Sequence, residues 1–224
     1  MGAGFVIIIH FVVIFIISCI IAVASGILTY FISNKDKKKR KIFLSIIIPF
    51  QSLYSIYILM LIGSILISET KNVDIGIGDY WHIPLSESYQ LTIIDVYEQA
   101  NIEYNGNTIF NEVSHLQLTD NNIYGKSNSN QYFTINLTDN LSQTYLTETE
   151  LKENENITEL ELQETQKFYH KRKWEITKTS TILTLIASIL LTILGVFTFC
   201  RLVLYGWKLG FRKNKTNTNT IYSK

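Results

Sequence analysis

The sequence predicts an α-helical membrane protein of three transmembrane helices with an inserted small α+β extracytoplasmic domain, an antiparallel β-meander plus a stalk helix. Three observations lead there. Apolar residues gather in three long blocks, a dense basic cluster separates the first two, and the stretch between the second and third is polar, acidic and patterned like short strands.

The first block, residues 2–32, has His10 as its one ionisable side chain, and the second, residues 42–68, has none. The third, residues 179–207, is uncharged as far as Cys200. At a rise of about 1.5 Å per residue, roughly 20 apolar residues cross a hydrocarbon core of about 30 Å, so each block is long enough. Soluble helices keep a polar face, and these segments have none over six or more turns. The small-residue run Ala22-Val23-Ala24-Ser25 has the look of a signal-peptidase site. Retention of the segment is the expectation, because no Lys or Arg precedes the apolar run and cleavage would strand the basic loop on the wrong side.

Residues 33–41 carry Lys35, Lys37, Lys38, Lys39, Arg40 and Lys41, which places this loop in the cytoplasm. The net charge of +1 conceals a division: residues 69–178 hold 8 basic and 18 acidic residues, a balance of −10, and the rest of the chain carries +11. The acidic part is therefore the exported one. Basic residues flank the third block on both sides, Lys167 to Lys178 before it and Arg201, Lys208, Arg212, Lys213 and Lys215 after it, so its direction follows from parity alone. The expected path is N-terminus out, residues 69–178 outside, and a basic tail, residues 208–224, in the cytoplasm. Cys19 and Cys200 both lie in apolar blocks, leaving the exported part without a disulfide framework. A bacterial inner (plasma) membrane suits that arrangement.

Within residues 69–146, runs of Tyr, Ile, Val and Thr alternate with Asn, Asp, Gly and Ser. Residues 90–97 read as a strand. Residues 101–104 and 108–110 form a hairpin across Asn105-Gly106, a pair that tolerates the positive φ angles of a type I′ turn. Residues 114–118, 123–126 and 131–137 follow as further strands. In residues 147–178, an acidic helical stalk, Thr147 and Glu150 have capping-box spacing. After a polar break at 154–156, residues 157–177 read as helix running into the third span. Leu160, Leu162 and Phe168 do not sustain a heptad, so they are expected to pack on the domain's own sheet.

The strand "YFTINL" and the strand-to-helix segment "YLTETELKEN" give residues 80–154 a resemblance to uncharacterised bacterial envelope membrane proteins with a small tethered β-meander domain. The resemblance implies a fold and transfers no active-site residue.

Candidate chemistry is sparse. His82, His115 and His170 are widely separated, without Cys neighbours or an H-x-x-x-H pair, so surface histidines are expected rather than a metal site. His10, about two turns inside a span, is expected to bond another helix as a neutral imidazole. Ser18, Ala22 and Gly26, like Thr184, Ser188 and Thr192, recur every four positions and predict close packing of the three spans into a bundle; Ser45, Pro49, Ser52 and Ser55, with Gln51 beside them, add to this on the second span. Tyr30, Phe31, Trp174, Tyr205 and Trp207 suit interfacial anchoring. Glu148, Glu150, Glu153 and Glu155 read as a solvated face. The Asn-x-Ser/Thr triplets at Asn136, Asn140 and Asn156 read as chance in an Asn-rich chain. Phosphate loops, G-x-S-x-G and basic patches with stacking aromatics do not occur.

The expectations are accordingly no catalytic, cofactor-binding or metal residue, no cofactor and no nucleic acid. Expected partners are the lipid bilayer and another envelope protein bound by the exported domain, with the oligomeric state open. The alternatives are a regulatory or signalling subunit that transmits stalk motion through the third span, and a membrane-tethered immunity-type protein.

Overall fold

The computed structural model describes residues 2–205. Trp207 and the basic tail, residues 208–224, lie outside them. Three helices dominate: α1 (Ala3–Ile32), α2 (Lys38–Lys71) and a 41-residue helix, α4 (Thr165–Tyr205). Each is long and apolar enough to cross a membrane. Two residues in left-handed conformation bound α2, Lys37 at φ 52° and Asn72 at φ 51°, and the Asn72 N–H returns to the Ser68 carbonyl to close the helix.

The helices form a row with α2 in the middle, not a closed bundle, so α1 and α4 each pack on α2 and hardly on each other. The small residues face these two seams. Ser18, Ala22 and Gly26 are buried on α1, and a Cβ on Gly26 would approach Ile46 Cγ1 to 3.1 Å. On the other side a Cβ on Gly63 would come within 2.0 Å of Thr184 Cγ2, and Ser188 and Thr192 are buried below it. Pro49, buried inside α2, has no N–H to give the Ser45 carbonyl one turn earlier. Ser25 Oγ of α1 donates to that carbonyl at 2.6 Å, so the seam itself satisfies the group. At the domain end, Tyr57 Oη meets His10 Nδ1 at 3.1 Å and Tyr54 Oη donates to the Phe11 carbonyl at 3.0 Å. At the opposite end, Arg40 Nη1 donates to the carbonyls of Val203 and Leu204 (3.2 and 3.3 Å).

Between α2 and α4 the chain builds two antiparallel sheets. The first comprises β1 (Tyr80–Pro84), β2 (Tyr89–Ile94), β3 (Ala100–Tyr104) and β4 (Asn107–Phe110), in that order. The second comprises β5 (Val113–Leu118), β6 (Asn122–Ser127), β7 (Tyr132–Asn136), β8 (Ser142–Tyr145) and a two-residue strand, β9 (Gln163–Glu164), in the order β8-β7-β6-β5-β9. Asn105 and Gly106 both take positive φ (49° and 81°), as the hairpin between β3 and β4 requires. One core joins the sheets: Ile83, Leu91, Ile93 and Ile102 from the first, Leu116, Ile123, Phe133 and Ile135 from the second, closed by Val73, Phe168 and Tyr169. Phe110 and Phe133 stack across it with centroids 4.1 Å apart. Gly125, paired with Phe133, supplies the flat surface this ring covers, since a Cβ there would lie 2.1 Å from the ring.

The opposite face of the second sheet is covered too, by Tyr124, Tyr145 and Leu151 with Ile157, Leu160 and Leu162. Leu151 belongs to α3 (Glu148–Asn154), whose cap Thr147 accepts from the Glu150 N–H at 3.2 Å while the Glu150 carboxylate accepts from the Leu146 N–H at 2.9 Å.

Four sequence expectations change. The domain contains two meanders rather than one, and β1, β8 and β9 were not foreseen. The strand expected over 90–97 ends at Ile94, because Asp95 turns to φ 60° and Tyr97–Gln99 forms a 3-10 turn. The stalk is not helical from 157: Asn156 takes φ 52°, the Glu161 N–H bonds the Gln117 side chain at 2.7 Å, and β9 pairs with β5 before α4 begins. The three long helices form an open row.

Candidate functional site

A carboxylate can be buried only if its lone pairs find donors. Asp74, two residues past the end-cap of α2, is 6 % exposed and meets this condition completely. Its Oδ2 accepts from the Gly76 N–H at 2.7 Å and from Lys173 Nζ, and its Oδ1 from the Tyr169 hydroxyl and, at 3.3 Å, the His82 N–H. Tyr169 and Lys173 stand one turn apart on α4 and so share a face, and Nζ also reaches the Tyr169 hydroxyl at 3.0 Å. Backbone bonding completes the arrangement, with the Asp74 N–H on the His82 carbonyl at 3.1 Å. The first turns of α4 and the exit of α2 are thus fastened through one acid and to β1.

Burial, and then the bond to Asp74, push the Tyr169 hydroxyl far above its ordinary range, so it keeps its proton and acts as donor. Four donors use the roughly four lone-pair sites of a carboxylate. Asp74 is thus a structural anchor whose acceptor sites are all engaged within the fold.

Around the anchor lies an aromatic group. Tyr97 stacks on Trp81 with centroids 5.4 Å apart, and its hydroxyl meets His170 Nε2 at 3.0 Å. Burial raises the Tyr97 hydroxyl, with the Asp74 charge adding to the effect. His82 has a buried Nδ1 without a partner among the described residues, and burial lowers its pKa below the ordinary 6.5. A cavity of about 470 Å³ opens beside these groups, walled by Ala3, Ser68, Asp74, Gly78, Tyr80 and His82, where α1 begins and α2 ends.

The other singled-out residues fall in separate places. His115 sits on β5 with Nδ1 3.1 Å from Ser114 Oγ, and no group of three metal-ligating side chains occurs among the described residues. Of the four stalk glutamates, Glu148 pairs with Lys152 at 2.7 Å, Glu150 caps α3, Glu155 accepts from the Tyr145 hydroxyl at 2.8 Å, and Glu153 is exposed. The Asn residues of the three triplets make turns: the Asn136 side chain accepts from the N–H groups of Thr138 and Asp139, and Asn140 and Asn156 take positive φ. Cys19 and Cys200 are free thiols.

Sequence reasoning missed the Asp74 anchor. Its partners lie 95 and 99 positions away, so no local pattern reveals them. The available signal was a lone acid directly after an apolar helix, together with a Tyr and a Lys at i, i+4 just before the next.

Compared with known proteins, the chain matches no family model, no curated protein and no solved structure.

Proposed function

We propose that this chain is an integral membrane protein, without enzymatic activity, that holds its sheet domain outside the cytoplasm to bind another envelope protein. Insertion is supported by the three long apolar helices, and sidedness by the basic loop at residues 33–41. The observation that carries the binding reading is β8. It ends the five-stranded sheet, contains neither Pro nor Lys, and is flanked by Leu141 and Leu146, exposed at 61 % and 77 %. An open strand edge between two exposed leucines suits an extended segment of a partner, added as a further strand.

A photo-crosslinking residue at Leu146 in the full chain, in intact cells, tests this reading. A discrete adduct that Thr144→Pro abolishes is expected; no adduct above background sinks it. Sidedness is tested separately with a cysteine at Ser127, which an impermeant thiol reagent should label in intact cells.

A second reading has support from α4, one uninterrupted helix from the domain core at Phe168 to Tyr205. In this reading, engagement of the domain moves α4 and is read by a cytoplasmic partner. Crosslinkers placed at Lys213 or Lys215 should then trap such a partner, and finding none counts against it.

A further inference from the structure

The seam between α1 and α2 is not closed along its whole length. Below Ser18 it opens on the side away from α4 into a groove of about 710 Å³, almost wholly apolar, lined by Cys19, Ala22, Gly26 and Tyr30 on α1 and by Ile46 and Phe50 on α2. Its two walls are regular ridges. Ala22, Gly26 and Tyr30 are spaced by four on one helix, and Lys38, Ile42, Ile46 and Phe50 by four on the other. The α2 ridge is thus apolar for three turns and ends in a cation. Lys38 Nζ lies 4.1 Å above the ring of Tyr30, so the heads of the two ridges meet at the mouth of the groove.

Length and charge together select the occupant. The groove runs from Cys19 to Phe31, twelve positions or about 18 Å, close to half of a hydrocarbon core of about 30 Å. It is one leaflet deep. Because α4 packs on the other side of α2, no other helix among the described residues covers it. At its mouth stand six cations against one acid, Asp36. Two of those cations are engaged elsewhere, Arg40 with the Val203 and Leu204 carbonyls of α4 and Lys37 over the ring of Tyr205. Lys38 and Lys39 stand four and three positions before Ile42 and so share its face, which makes them the pair above the groove.

We infer that this groove is a binding site for a bilayer phospholipid of net negative charge, with one acyl chain lying along Val23, Ile27, Ile46 and Phe50 and the headgroup phosphate between Lys38 and Lys39. The inference rests on the membrane reading above. A zwitterionic lipid offers the same chain to the groove but carries its own cation beside the phosphate, so the two lysines discriminate by headgroup. Each lysine near an anionic surface contributes enough for a preference of about fivefold.

The test uses the full chain purified in micelles containing equal amounts of phosphatidylglycerol and phosphatidylcholine, with retained lipids counted by native mass spectrometry. Retention of one phosphatidylglycerol at least fivefold above phosphatidylcholine is expected. The double variant K38Q/K39Q should bring the two lipids level, while K35Q/K41Q, with the same loss of charge, should keep the preference. Val23→Trp, placed at the exposed rim of the groove, should reduce retention of both lipids. Equal retention by the native chain overturns the inference, as does an equal effect of the two lysine pairs, which would mean diffuse attraction to the basic loop. Thermal unfolding of each variant in the same micelles shows whether it is folded. Extraction of native membranes with alkaline carbonate separates the two levels: release of the chain defeats the membrane reading itself, and its retention without lipid preference defeats only this inference.

Discussion

Ser25 on α1 donates a hydrogen bond to the backbone carbonyl of Ser45 on α2, the acceptor that Pro49 leaves without its helical partner. The bond satisfies a group that would otherwise sit unpaired in apolar surroundings. Ser25→Ala should therefore destabilise the α1–α2 pair by about 1–3 kcal/mol. Pro49→Ala restores an N–H one turn along, so Ser25→Ala should cost clearly less in that background. Unfolding in detergent of the four members of this cycle measures the coupling.

Removing Asp74 should do more damage. Asp74→Ala leaves Lys173 without its counter-charge and Tyr169 without its acceptor. Lys173 retains 22 % of its side-chain exposure, which lets water soften the loss, so a cost of about 2–4 kcal/mol is expected. Lys173→Met should cost less, and the double variant should fall well short of the sum. Protease protection of the sheet domain reports the change.

Acidification should weaken the same corner through His82. Burial lowers its pKa below 6.5, Lys173 acts in the same direction, and Asp74 and Glu103 oppose them. The unfolded chain then takes up a proton at a higher pH than the folded one. Stability is complete above pH 6.5 and declines as the pH falls from there to the folded-state pKa. His82→Gln should flatten the change in melting temperature between pH 7 and pH 5, and an unchanged slope would remove His82 from the account.

Gly125→Ala should destabilise the domain by about 1–3 kcal/mol, because its methyl group would occupy space held by the Phe133 ring. Phe133→Leu in the same chain should recover part of the loss, since the flexible side chain can move aside. Denaturant unfolding compares the three proteins.

How much of this was legible in the sequence depends on how local the cause is. The Asn105-Gly106 turn and the Thr147 cap act within four residues and were readable, as were the three apolar blocks. The strand β1 escaped notice because it follows two glycines and ends in a proline, and β8 because three of its four residues are polar and exposed. The stalk misled because acidic, Leu-containing sequence has helix-like composition, while Asn156 and the pairing of β9 with β5 decide otherwise. The small-residue spacing identified the seams correctly yet could not tell an open row from a closed bundle, since both bury the same residues of α1 and α4.

The uninterrupted course of α4 makes it a lever. Phe168 is set in the domain core and Tyr205 lies 37 residues away, about 56 Å along the axis. A tilt of only about 5° about the core would carry the far end sideways by about 5 Å on that geometry. That sweep exceeds the length of a hydrogen bond, so a rocking of the sheets that α4 followed as a rigid body would pull the Val203 and Leu204 carbonyls off Arg40.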